Sequence, residues 1–243
     1  MSGHSKWSTI KHKKGAADAK RGKVFTRILK EITVAARLGG GDVASNPRLR
    51  LAVDTAKGAN MPKENWERAI KTGTGELEGV TYEEVQYEGY GPGGVAIIIE
   101  AVTDNKNRTT PEIRSCFTKF GSELGAMNSV AYLFTKQGQI VVDAGVSEDK
   151  VMEVALEAGA DDVQDQGGAW IITTSPEAFQ TVKDAVDAAK LPVLEAQIIK
   201  AAANEIHLEG PKLSSFLKLL DALEDNDDTQ NVWHNADYEE AEE

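Results

Sequence analysis

Lys6, Lys11, Lys13, Lys14, Lys20 and Arg21 fall within the first 22 residues against a single acid, Asp18, with Trp7 and His12 interleaved. Cations at this density offer a row of donors to phosphate oxygens, and an indole among them offers a face on which a base can stack. Lys23, Arg27 and Lys30 extend the row, so residues 1–30 hold nine Lys/Arg and one acid, a net of +8 in a chain whose formal charge is −12. Residues 1–75 carry sixteen Lys/Arg and six Asp/Glu, whereas 76–243 carry eleven and thirty-three. The two parts therefore have net charges of +10 and −22. A basic module joined to an acidic body is the electrostatic footprint of nucleic-acid binding. A merely solvated tail accounts for the cations but not for their segregation from the acids. A mitochondrial presequence would be Arg-rich, whereas this stretch is mostly lysine and runs into a helical pattern without a cleavage-like break. With Arg37, Arg48 and Arg50 on the helices that follow, these residues make up the candidate contact set.

Other constellations carry less. Gly89-Tyr90-Gly91-Pro92-Gly93-Gly94 has the spacing of a dinucleotide fingerprint, but that motif needs a helix after it. The residues that follow, Val95-Ala-Ile-Ile-Ile-Glu-Ala-Val102, are strand-like, so the glycines read as a hairpin turn with Tyr90 exposed at its tip. Lys106, Arg108 and Arg114, around a Thr110-Pro111 helix start, form a possible second cationic contact with Tyr90. The lone Cys116 shares a helix face with Ile113, Phe117 and Phe120 and reads as a structural thiol. No spacing of His, Cys or acids resembles a metal centre, and Glu224–Asp228 lacks the glycine and terminal glutamate of a calcium loop, so it reads as a solvated turn. No catalytic residue, metal, cofactor or small-molecule substrate is expected. An enzyme is disfavoured.

The elements that would position these groups follow from periodicity. Residues 1–22 read as a basic arm broken by Gly3, Gly15 and Gly22. From Lys23 to Leu38 the pattern is helical, with Phe25, Ile28, Leu29, Ile32 and Ala36 on one face and Lys23, Arg27, Lys30 and Arg37 opposite. Helices opening at Pro47 and Pro62 complete a three-helix domain over 23–76. Strands near 83–90, 94–102 and 130–135, a helix near 110–120, a helix at 211–224 and a strand at 230–234 make a discontinuous α+β domain, 80–135 plus 205–235. Between its halves, residues 138–202 read as strand, helix, strand, strand, helix, strand, the βαββαβ order of a ferredoxin-like sandwich. The fold class is therefore α+β, with an N-terminal three-helix domain followed by two α+β domains. The acidic residues 236–243 are expected to be disordered. No apolar run approaches the roughly 20 residues that span a bilayer, no secretory h-region follows the N-terminus, and a single cysteine suits the cytoplasm.

Several motifs occur together and in order: Gly3-His4-Ser5-Lys6-Trp7, Asp18-Ala19-Lys20-Arg21-Gly22-Lys23, Gly39-Gly40-Gly41-Asp42, Asn46-Pro47-Arg48-Leu49-Arg50, Asn60-Met61-Pro62-Lys63 and Tyr87-Glu88-Gly89-Tyr90-Gly91-Pro92-Gly93-Gly94. With Asp104-Asn105 through Thr109 and Ser129-Val130-Ala131-Tyr132, they resemble the YebC/PmpR family over residues 3–135, and more weakly to the end. The resemblance implies three domains around a concave, partly acidic cavity and a non-enzymatic role in gene expression. Members are generally described as DNA-binding transcriptional regulators, and related proteins act as translation factors on ribosomes, some at proline runs. Val43, Trp66 and Asn128 depart from the family's usual residues, and none of the three removes a cation.

Three readings stay open at the level of sequence. A DNA-binding transcription regulator fits the family description, although no helix-turn-helix signature is visible. A ribosome-associated translation factor that grips rRNA or tRNA suits a glycine-broken arm better than a major groove does. A protein adaptor with an incidental basic arm is the third, and it alone survives deletion of the arm.

Overall fold

The structure is a computed structural model that describes residues 19–238. Helix α1 spans Ala19–Gly39, starting four residues ahead of the expected Lys23, and buries Ile28, Ile32, Ala35 and Ala36. Gly40, at φ +85°, ends it by adopting a backbone conformation that only glycine reaches cheaply. Asn46 then fixes the turn into α2 (Pro47–Gly58). Its side-chain oxygen accepts from the Leu49 amide at 3.1 Å, while its amide nitrogen donates to the Ala35 and Gly40 carbonyls at 2.9 and 2.8 Å. One buried side chain thus caps the second helix and satisfies the end of the first. Helix α3 (Lys63–Thr74) lies close against α1, because a Cβ at Gly73 would come within 2.4 Å of the Thr33 carbonyl. Ala69 is buried in this core, and Trp66 and Ile70 are half-buried against it.

Strands β1 (Glu83–Tyr90) and β2 (Ala96–Thr103) form the expected antiparallel hairpin, Tyr90 facing Ala96 across a tight turn at Pro92–Gly94. No helix follows the glycines, so the fingerprint reading fails on context as anticipated. Helix α4 (Lys106–Lys119) starts four residues before Thr110, with Asn105 as its N-cap and Pro111 inside. The two-residue β3 (Glu123–Leu124) pairs with β1.

A ten-residue strand, β4 (Phe134–Asp143), follows. The expected strand at 130–135 and the separate strand expected to open residues 138–202 are corrected here. Residues 131–133 make a single 3-10 turn, and 134–143 run as one strand because β7 pairs with it from Phe134↔Ala202 onward. Helix α5 (Glu148–Glu157), strands β5 (Asp162–Asp165) and β6 (Ala169–Thr174), helix α6 (Phe179–Ala188) and strand β7 (Val193–Ala202) complete this part. The sheet is antiparallel in the order β5-β6-β4-β7, the ferredoxin-like arrangement, and α5 and α6 pack on each other and on the sheet.

The chain then returns through β8 (Ile206–His207), helix α7 (Gly210–Asp225), β9 (Thr229–His234) and β10 (Ala236–Asp237). Strand β9 joins the first sheet beside β2, giving the order β3-β1-β2-β9. Ile97, Ile99 and Ala101 of β2 pack with Ile113 and Phe117 of α4 and with Phe216, Leu219 and Leu223 of α7 to form one core. The expected disorder from residue 236 is corrected at its start. Ala236 is fully buried and pairs in parallel with Ile206, because its backbone completes the small β8–β10 ladder. Residues 239–243 lie outside the described residues. By contacts the chain forms two compact units, one of Tyr132–Glu205 and one holding the described residues on either side.

Candidate nucleic-acid interface

The candidate cations divide into three groups by position. Lys6, Trp7, Lys11, His12, Lys13 and Lys14 lie outside the described residues. Lys20 and Arg21 fall in the first turn of α1. The remainder sit on the folded helices and hairpin, where their surroundings decide what they can still bind.

Lys23, Arg27 and Lys30 share a face of α1, as periodicity predicts, but the face meets the C-terminal end of α7 and the turn after it. Lys23 Nζ is 2.9 Å from the Asp225 carbonyl and 3.3 Å from its carboxylate. Arg27 donates to the Glu224 carbonyl. Lys30 Nζ is 2.7 Å from Asp228 Oδ1 and 2.9 Å from the Asp227 carbonyl. Two conditions bring the segments together. The last carbonyls of a helix lack intrahelical donors and carry the negative end of its dipole, and Glu224, Asp225, Asp227 and Asp228 add formal charge. The run Glu224–Asp228, expected to be a solvated turn, is thus the counter-charge of α1.

Lys30 needs the firmest correction. It is buried rather than outward, and its partner Asp228 is the hub of a polar cluster. Asp228 Oδ2 also accepts from Thr109 at 2.6 Å, Arg108 at 2.7 Å and Thr103 at 3.1 Å. Burial alone raises this carboxyl's pKa, but the hydrogen bonds from Lys30, Thr109 and Arg108 outweigh it and hold the group well below the usual carboxylate range. Arg108, expected as a second external contact, is exposed but paired with Asp228 at 2.7 Å and with Asp104 at 2.9 Å. Lys106 pairs with Glu83 at 2.7 Å.

Arg48 bridges Glu31 of α1 and Glu84 of β1, each at 2.7 Å. Burial lowers its pKa, and the hydrogen bonds to the two glutamates more than offset that, so it stays charged. Arg50 donates to the Val43 and Ala44 carbonyls and so braces the turn before α2. Arg37 is exposed and lines a groove of about 570 Å³ with Thr33, Thr72 and Tyr82. Arg114 is exposed on α4. Tyr90 is exposed at the hairpin tip, its hydroxyl donating to the Ser129 carbonyl at 3.2 Å.

One residue that sequence reasoning passed over organises the surface beside Tyr90. Glu88 is buried, and its carboxylate accepts backbone amides of Asn128, Val130 and Ala131, each at 2.9 Å. Burial raises its pKa, but these amides and Gln86 pull it below the ordinary value. Met127, on the loop so held, is 78% exposed. The signal available was an acid, Glu88, set between Tyr87 and Gly89 in the half of the strand that is otherwise uncharged.

Two family models match the chain. One described as the TACO1/YebC protein N-terminal domain matches residues 5–76, and one described as the TACO1/YebC second and third domain matches 82–236. A protein of Desulfatibacillum aliphaticivorans named "probable transcriptional regulatory protein" is 57% identical over 98% of this chain and 96% of its own. One of Geobacter sulfurreducens with the same description is also 57% identical, with the same coverage of both chains. The crystal structure of a conserved hypothetical protein from Aquifex aeolicus has a TM-score of 0.88 at 49% identity and covers 98% of both chains.

Proposed function

The chain belongs to the TACO1/YebC family, and on that premise we propose that it is a non-enzymatic regulator of gene expression that acts by gripping nucleic-acid backbone. The observation that carries this reading is the division of charge, +10 in residues 1–75 against −22 in the rest. The folded body spends many of its cations internally, on Asp225, Asp228, Glu31, Glu84 and Glu83. The reading therefore assigns phosphate contact chiefly to Lys6, Lys11, His12, Lys13, Lys14, Lys20 and Arg21, with Trp7 as the stacking surface and the exposed Arg37 behind them.

Relatives named as probable transcriptional regulatory proteins support transcription as the process, and DNA is the ligand this reading gives it. Binding dominated by phosphate contacts is weakly sequence-specific, because sequence is read at base edges. The second reading, a translation factor on the ribosome, is favoured by Gly3, Gly15 and Gly22, which suit an arm that follows an irregular RNA cleft. Both readings place the protein in the cytoplasm. No helix among the described residues is long and apolar enough to cross a membrane.

Sucrose-gradient sedimentation of the tagged protein from growing cells, with and without residues 1–22, separates the two. Absence from ribosomal fractions at physiological salt favours DNA and transcription. Arm-dependent co-migration with a ribosomal subunit assigns the protein to translation. Arm-independent behaviour in every nucleic-acid assay removes the proposal.

A further inference from the structure

The cationic stripe of α1 and the segment Glu224–Asp228 meet through a graded set of contacts. At one end Lys30 and Asp228 are sealed, their side chains 8% and 4% exposed. At the other end Lys23 and Asp225 are open, at 45% and 75%. Arg27 lies between them, half-buried, donating to a carbonyl and surrounded by the charges of Glu224, Asp225 and Asp227. The segment presents oxygen after oxygen to the helix: the carbonyls of Glu224, Asp225 and Asp227 and the carboxylates of Asp225 and Asp228. A phosphate backbone presents the same chemistry, anionic oxygens in a row, to cations one helical turn apart.

We propose that Glu224–Asp227 occupies part of a nucleic-acid-binding surface as an internal stand-in for phosphate, and that bound backbone displaces it from Lys23 and Arg27. This deepens the reading above and rests on it. Lys30 is excluded from the exchange, since it is buried and its buried carboxylate partner has three other donors. Exposed ion pairs such as Lys23–Asp225 are weak enough to trade for phosphate. Lys23 lies two residues after Arg21 in α1, so a strand that contacts the first turn reaches Lys23 and then Arg27 by continuing along the same helix. The segment accordingly sets a threshold. Weak or short anions leave it in place, and a backbone long enough to reach both cations opens it.

The test is the salt dependence of full-length protein binding to a short mixed-sequence DNA duplex, read by fluorescence anisotropy. Each cation newly engaged with phosphate adds about 0.9 to the log–log slope. In the wild type, displacing the segment hides part of that gain, because its carboxylates take up counterions as they leave. In E224Q/D225N/D227N the carbonyl contacts of Lys23 and Arg27 remain but no carboxylate takes up a counterion, so the slope should steepen by a part of the about 1.8 that two cations contribute. The same triple change in a K23A/R27A background should leave the slope where K23A/R27A alone puts it. Neutralising three acids elsewhere, E153Q/E157Q/D161N, should tighten binding without the steepening.

An unchanged slope in E224Q/D225N/D227N overturns the inference, and so does a change that persists in K23A/R27A. A wild-type chain that binds neither this duplex nor a single-stranded RNA of equal length sinks the proposed function itself. Normal wild-type binding with no response to the triple change sinks only the competition. Because Asp225 and Asp227 are exposed, the variant should fold, which its thermal melt checks.

Discussion

Lys30 and Asp228 face each other at 2.7 Å across 198 residues of sequence, buried where α1 meets the turn between α7 and β9. Removing one partner of such a pair leaves the other charge buried. Lys30→Met should cost about 3 kcal/mol, the lower end for a broken buried pair, because Arg108 and two threonines still hold the carboxylate. Chemical denaturation of the variant at neutral pH measures this. A loss below about 1 kcal/mol would show that the pair is dispensable.

The same carboxylate gives stability a pH dependence. Its folded pKa lies below the ordinary value, so its contribution is complete above the unfolded carboxylate pKa, about 4, and is lost as pH falls towards the lower folded value. Asp228→Asn should therefore be less stable at neutral pH and flatter in its stability profile below about pH 4. Thermal melts at stepped pH compare the two slopes, and parallel profiles would contradict the assignment.

Glu88→Gln probes the loop beside Tyr90. An amide has one acceptor oxygen where the carboxylate uses two to serve three amides, and its NH2 would face donors. The expected loss is about 2 kcal/mol, and amide exchange at Val130 and Ala131 should speed up while exchange in α1 to α3 does not. Uniform acceleration throughout would mean that Glu88 supports the whole unit rather than the loop.

The arm is tested by charge reversal at Lys11, Lys13 and Lys14 together. About five phosphate contacts in the wild type predict a log–log salt slope near −4.5 on duplex DNA. The K11E/K13E/K14E protein should lose binding and keep the wild-type melting temperature. Retained binding would move the site off these lysines.

The elements were largely legible because they are local. Ile28, Ile32 and Ala36 announce α1 by spacing, and the alternation of strands and helices over 139–199 announces the ferredoxin-like order. The fate of the cations was not legible. Lys23, Arg27 and Lys30 look alike on a helical wheel, and whether such a stripe meets solvent or an acidic turn depends on a segment some 200 positions away. Glu224–Asp228 likewise has the composition of a solvated turn, and only the path of α7 brings it to α1. Strand β4 was split in expectation because Gln137 and Gly138 interrupt its apolar run, yet β7 pairs through both. Ala236 was lost in an acidic context whose backbone, not its side chains, does the pairing.

Strand β2 has its inner neighbour β1 just before it in the chain, but its other neighbour, β9, arrives after an entire second sheet has been made. During synthesis the first sheet therefore leaves the ribosome with one edge open, and Ile98 waits for Trp233 to face it. The strands of Tyr132–Glu205 all pair with one another, so that sheet needs no segment made later. The part of the protein that is begun first is thus finished last. Until Asp228 has been translated, Lys30 has no counter-ion at its final address, and a newborn chain carries a more cationic helix than the finished one.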